Sequence, residues 1–266
     1  MVFFLTILLF STTAYADNTK DLYLDLMKKC LINSIYQDGK TSWDNTHSTA
    51  YQQDIRENGL DWPNLAHTMI GLYRLNNLQF CVEYVLQNNI PGDLIETGVW
   101  RGGACIFMRA ILKAYDNIEK KVFVADSFEG MPIPNPKFYP ANSSTEHWIQ
   151  HNSVLAISLP QVQANFERYD LLDHQVVFLK GWFHDTLPHA PIEKLAVMRL
   201  DGDLYESTMD ALTNLYPKLS IGGFVIIDDY MIPCCATAVH DFRHKFNITD
   251  VIYSIDNVGV FWQRTK

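Results

Sequence analysis

The sequence predicts an α/β fold: an open, mostly parallel sheet with helices on both faces, behind a helical N-terminal extension. Three observations carry this expectation. From Leu94 onward, short apolar runs alternate with segments of helical spacing. The runs are continuously apolar rather than alternating, as for strands covered on both faces. The first leads through a glycine turn into a helix, "LIETGVWRGGACIFM", the order that opens a ligand-binding parallel sheet.

Strands are expected at 93–97, 121–126, 175–180, 194–201, 223–228, 251–254 and 259–263, and helices at 103–115, 160–169, 205–216 and 235–246. The last two strands are separated by a few residues, so they should pair as an antiparallel hairpin. The fourth strand should border the first, and the fifth the fourth. Residues 17–90 carry helical spacing, as in "DLYLDLMKKCLINSIY", and should form helices packed beside the sheet and over its open edge. Pro91-Gly92 turns the chain into the first strand, so the sheet domain spans 91–266. Within it, residues 130–158 hold four prolines and several aromatics. An irregular stretch of that length in a compact domain reads as a lid.

Composition narrows the function. The 266 residues carry a net charge of -9 and no Lys/Arg-rich run, which disfavours a nucleic-acid partner and welcomes cations. Five cysteines at irregular spacing, without CxxC, read as free thiols in a reducing compartment. The N-terminus pulls the other way. "VFFLTILLF" followed by Ala14-Tyr15-Ala16 has the form of an export signal cleaved after Ala16. Its apolar core is too short for a membrane span. Localisation is thus read as export or cytoplasm from opposing features, with no stable span after processing.

The chemistry-bearing residues sit at strand ends. A dinucleotide site would place glycine where this chain has Glu96. A carboxylate there repels a pyrophosphate and suits an ammonium or a sulfonium, and S-adenosylmethionine (SAM) carries both. Gly98, Gly102 and Gly103 would let the backbone approach such a ligand. Asp126 ends the second strand, where a carboxylate accepts bonds from ribose hydroxyls. The competing reading makes Asp126 and Ser127 a turn cap. The fourth strand ends in "RLDGD" and the fifth in "IIDD". Neighbouring strands lie about 4.8 Å apart, so Asp201, Asp228 and Asp229 can share one ion. Three hard oxygen donors without His or Cys suit Mg²⁺. The alternative is a helix cap and solvated turn acids, but three converging acids without a cation repel one another.

The runs "GDLIETGVWRGGACIFMRAILKAY", "VFVADSFEGMPIP", "FLKGWFHDTLPHAPIEKLAVMRLDGDLYESTMDALTNLYPKLSIGGFVIIDDY" and "IDNVGVFWQR" resemble the macrocin O-methyltransferase family over about residues 93–264. The resemblance implies the class I, Rossmann-like SAM-methyltransferase fold with a seven-stranded sheet. It also implies dependence on SAM and Mg²⁺, and a small-molecule acceptor methylated at a sugar hydroxyl. By position it assigns Glu96, Thr97 and the Gly98–Gly103 turn, Gly102 included, to the methionine part of SAM, and Asp126 and Ser127 to the ribose. Trp182 and Asp185 would lie beside the adenine. Asp201, Asp228 and Asp229 match the family's metal ligands and Asp203 its general base. The N-terminal helices become an acceptor cap, and a homo-oligomer is in keeping with the family. The lid and the N-terminal helices depart from the family's pattern, which bears on the acceptor. Rival readings are a Mg²⁺-dependent catechol or phenol methyltransferase, a non-catalytic SAM-fold binding protein, and an NAD-dependent dehydrogenase, the last disfavoured by Glu96.

Overall fold

The computed structural model describes residues 19–41, 48–138 and 152–266. The export-like segment and the middle of the expected lid lie outside them. The N-terminal extension begins with α1 (Thr19–Leu31), then two short strands, β1 (Lys40–Thr41) and β2 (Ser48–Thr49). Helix α2 (Gln53–Glu57), strand β3 (Trp62–Pro63) and the long α3 (Gly71–Gln87) follow. The extension is therefore not wholly helical. β1 pairs antiparallel with both β2 and β3. Strands of two residues are too short to show a period of two in the sequence.

The main sheet then alternates with helices: β4 (Asp93–Thr97), α4 (Gly103–Ala114), β5 (Val122–Asp126), α5 (Leu159–Glu167), β6 (Val176–Lys180), α6 (Phe183–Thr186) and β7 (Leu195–Leu200). It closes with α7 (Tyr205–Leu215), β8 (Leu219–Ile227), α8 (Pro233–Lys245), β9 (Tyr253–Ser254) and β10 (Val260–Gln263). The spatial order is β6-β5-β4-β7-β8-β10-β9. β4 pairs in parallel with β5 and β7, and β7 with β8, as the sequence predicts. Only β10 runs against its neighbours.

Side chains alternate between two cores, as a pleated strand requires. On β5, Val122 and Val124 face one and Phe123 and Ala125 the other. The first core holds α4 together with Leu24 and Leu31 of α1 and Leu75, Leu78, Val82 and Val85 of α3. The apolar stripe of α3 thus lies on the sheet face over β7 and β8. This corrects the expectation that the extension covers an edge. A stripe of helical period buries more area on a face than along an edge. The second core is roofed by α7 and α8.

β8 begins four residues before the expected start. Gly222 and the expected first residue, Gly223, lie inside the strand, where the β7–β8 register shifts. Gly222 adopts φ 88°, a conformation glycine takes without a Cβ penalty. No helix among the described residues is long and apolar enough to cross a membrane.

Candidate functional site

The carboxyl ends of β4, β5, β7 and β8 are stepped together by backbone hydrogen bonds that continue past the strands. Gly98 donates to Ala125, Asp201 to Thr97 and Asp228 to Leu200, each at 2.9 Å. The staircase brings the loops after these strands around one cavity of about 610 Å³. Its lining includes Glu96, Gly98, Asp126, Ser127, Trp182, Asp201, Asp203, Asp228 and Asp229. It also includes Leu60, Asp61, Trp62, Met69 and Ile70 of the extension, and Met231 and Ile232 before α8. The size is that of a small-molecule site.

Asp201, Asp228 and Asp229 each present an oxygen within 4.8 Å of the others. Adjacent parallel strands ending at the same level place them there, as the sequence predicts. Around them lie more acids than the sequence alone revealed cations for. Arg199 is 1% exposed and donates to Glu96, to Asp201 at 2.9 Å and to Asp228. Arg74 of α3 donates to the other Asp228 oxygen at 2.5 Å. Glu96 and Arg199 are register partners on neighbouring strands. Period two puts Arg199, Asp201 and Asp228 on the same face.

Charge divides these acids. Burial pushes Asp228 up, but Arg199 and Arg74 overcome it and hold its carboxyl below the usual carboxylate range. Burial, reinforced by Asp203, Asp201 and Asp228, pushes Asp229 well above that range. Asp201 is raised by burial and by Asp228, against Arg199. Asp203 is pushed to about 7 by burial and by Asp201 and Asp228. Glu96 also reaches about 7, through burial countered by Arg199. Glu96, Asp201, Asp203, Asp228 and Asp229 outnumber the two guanidinium groups. The donor set therefore fits a divalent cation. Each carboxylate oxygen keeps a lone pair beyond its arginine bond, and a cation would favour the charged form of the acids whose proton affinity burial and their neighbours raise.

Asp203 stands apart at φ 52°, in the left-handed region. Its amide donates to Asp229 at 3.1 Å, which ties the turn after β7 to the one after β8. Gly98, at φ 83°, lets the turn after β4 close on the turn after β7: a Cβ there would meet the Asp201 carbonyl at 1.6 Å. Gly98 thus serves packing of the chain on itself and also lines the cavity. Gly102 and Gly103 lie outside the cavity lining. Their amides donate to Val99 and His67, and added Cβ atoms would meet Val162 and the His67 carbonyl.

Other expected cofactor residues divide in the same way. Thr97 is fully buried on the face of β4 opposite Glu96 and does not line the cavity. Asp185 is 64% exposed, 3.2 Å from His184, and also lies outside the lining. Asp126 accepts from the amides of Val99 and Phe128 at 2.7 Å each. It is the turn cap, yet it lines the cavity, and a carboxylate can accept more bonds than these. Ser127 is occupied with its turn, donating to Gly130 at 2.6 Å and accepting from Glu129. Glu96 is engaged on both oxygens, by Arg199 and by the Cys105 thiol at 2.8 Å. Arg74 and Arg199 are the site residues that the sequence reading did not single out.

The described ends of the 130–158 segment flank the cavity. Met131, Ile133 and Leu155 line it. Asn152 bridges back to both the amide and the carbonyl of Met131, and the Trp100 indole donates to Val154 at 3.0 Å.

A family profile described as Macrocin-O-methyltransferase (TylF) matches residues 20–264. The chain belongs to the macrocin O-methyltransferase family. It is 57% identical to 8-demethyl-8-(2,3-dimethoxy-alpha-L-rhamnosyl)-tetracenomycin-C 4'-O-methyltransferase of Streptomyces olivaceus, over 94% of this chain and 95% of that one. Identity is 54% to demethyldecarbamoylnovobiocin O-methyltransferase of Streptomyces niveus, over 96% and 98%. It is 53% to mycinamicin III 3''-O-methyltransferase of Micromonospora griseorubida, over 92% and 97%. The solved O-methyltransferase NovP superposes with a TM-score of 0.84 at 54% identity, covering 93% of this chain and all of that one. Calicheamicin methyltransferase CalS11, at 17% identity over 93% of each chain and a TM-score of 0.56, shares the fold. This macrocin-type protein is an O-methyltransferase with the SAM-dependent fold, and its strand order is the one that fold requires.

Proposed function

We propose that this methyltransferase moves the SAM methyl group to a sugar hydroxyl of a glycosylated small molecule. Mg²⁺ is held by Asp201, Asp228 and Asp229, and Asp203 takes the proton. The observation that carries the reading is one cavity with two kinds of wall. Three carboxylates converge within 4.8 Å beside Asp203, next to the Gly98–Trp100 turn and Asp126. The relatives' names support the acceptor class: one acts on a rhamnosyl-tetracenomycin, another on demethyldecarbamoylnovobiocin and the third on mycinamicin III. Charge supports it too. The only Arg side chains lining the cavity among the described residues are Arg74 and Arg199, both spent on carboxylates, and no Lys lines it. A nucleotide diphosphate would find no free cation there. The sugar is therefore read as already joined to its aglycone, which the apolar Leu60, Trp62, Met69 and Met231 can face.

Bound Mg²⁺ supplies Lewis acidity that makes an acceptor hydroxyl easier to deprotonate. The chain's own residues do the rest. Asp126 has lone pairs to accept ribose hydroxyls and so fixes the methyl donor. Asp203 lines the cavity beside the three carboxylates, where it can accept the proton. The aromatic and apolar walls exclude water that would compete for the methyl acceptor position.

EDTA should abolish transfer to a glycoside acceptor panel and Mg²⁺ should restore it. Asp228→Asn should lose transfer while SAM affinity, read by calorimetry, stays within about twofold. Full activity of the metal-stripped enzyme would remove the metal from the reading. The same panel with nucleotide sugars and catechols tests the acceptor class, because turnover confined to catechols would overturn it.

A further inference from the structure

The metal cradle is braced by arginine on both of its sides. Asp228 is gripped at each oxygen by a different guanidinium: Arg199 at Oδ1 and Arg74 at Oδ2. Arg199 also holds Asp201 and, through the same nitrogen, Glu96. Its fork therefore joins three neighbouring strand ends, those of β4, β7 and β8. Arg74 is fixed in turn. Its Nη2 donates to the Gly59 carbonyl at 2.9 Å and its Nε lies 3.2 Å from Asp256, in the turn between β9 and β10. Both side chains are buried, at 1% and 5% exposure. Their bonds go to the carboxylates of the cradle, to Glu96 and to the Gly59 carbonyl.

We infer that Arg74 and Arg199 are positioning residues for the metal cradle, setting the Asp201 and Asp228 carboxylates in their ligating rotamers before any metal arrives. The inference rests on the reading of Asp201, Asp228 and Asp229 as the metal site. A carboxylate ligand that is not anchored must give up rotamer freedom on binding, and outer partners that hold it are worth about tenfold to a hundredfold in metal affinity. Arginine suits the task because a planar fork can satisfy two or three carboxylates at fixed angles. Lysine keeps the charge but offers a single point of attachment. Arg74 carries a second consequence. It makes the N-terminal extension part of the cradle, because Arg74 of α3 bonds Asp228 at the end of β8.

The test separates geometry from charge with Arg199→Lys and Arg74→Lys, alongside wild type and Asp228→Asn, with Mn²⁺ as the probe. Calorimetry measures Mn²⁺ and SAM affinity for each metal-stripped protein. Wild type should bind one Mn²⁺, and Asp228→Asn should lose it. Each lysine variant should bind Mn²⁺ at least about tenfold more weakly while SAM affinity stays within about twofold. Mn²⁺ affinity equal to wild type in both lysine variants overturns the positioning role and leaves the metal site standing. No Mn²⁺ binding by wild type overturns the metal reading itself. Should Arg199→Lys fail to bind SAM, Arg74→Lys decides. Loss of SAM binding in both makes the two arginines supports of the fold and also overturns the inference.

Discussion

Arg199 is the residue on which the site turns, and its place in the strand was a readable signal. In "LAVMRLD" it interrupts a run that is buried on both faces. A charged group there must find partners, because an unpaired buried charge is prohibitive. Two of its partners, Glu96 and Asp228, lie 103 and 29 positions away on other strands, so the signal announces a network without naming it. Asp203 was legible by position, but its left-handed backbone was not. Asp203→Asn should lower kcat by about 10²–10⁴ and leave SAM affinity within twofold in calorimetry. Gly98→Ala places a Cβ 1.6 Å from the Asp201 carbonyl and should destabilise the fold by at least about 2 kcal/mol, read by urea unfolding. A wild-type midpoint would mean the two loops can separate freely. His67 gives a pH signature. Burial, with Arg168 and Arg101, lowers it from 6.5 to about 4, and its Nδ1 lies 2.7 Å from the Tyr169 hydroxyl. The folded value lies below the unfolded one, so the neutral ring's contribution is whole above about 6.5 and is lost as pH falls toward 4. Between about pH 7 and 4.5, wild type should lose more stability than His67→Gln; equal losses would contradict the assignment.

At the scale of elements, the large pieces behaved as their periodicities require and the small ones did not. Helices α4, α5, α7 and α8 and the strands of the main sheet lie within a few residues of expectation, β8 excepted. The three short strands of the extension escaped because side chains hold them, not a pattern. Arg56, 1% exposed, donates to Asp61 and Asp38 and to the carbonyls of Ile32 and Asp38. It pins α2, β3 and the chain after α1 into one unit. Arg56→Met leaves two buried carboxylates unpaired and should cost about 3–5 kcal/mol in denaturant unfolding. A loss below about 1 kcal/mol would show that the extension is held by its apolar contacts alone. The described ends of the 130–158 segment are anchored similarly, by Trp100 and Asn152 and by Phe138 stacked on Tyr205 at 3.8 Å.

For the whole molecule, the strand order explains why the site is where it is. β4 stands at the centre, with β5 on one side and β7 on the other, so the donor end and the acid cluster flank the same crevice. Glu96 and eight further acids line this crevice, which favours a cationic ligand such as SAM over a dinucleotide. SAM at about a hundredfold over its Kd should stabilise the protein by about 2.7 kcal/mol, a melting shift of several degrees for a chain of this size. NAD at the same concentration should give none. A shift with NAD and none with SAM would reverse the assignment.

The parallel sheet, the pairing of its central strands and the meeting of Asp201, Asp228 and Asp229 were legible along the chain. These follow from local period and strand adjacency, which are written along the chain. The folded chain shows which cations balance those acids, which glycines pack against protein, and where the extension lies. Arg74 and Asp228 are 154 positions apart and Arg199 and Glu96 are 103 apart. Side chains so distant meet only after the sheet has formed and α3 has packed on its face, so no spacing in the sequence records them.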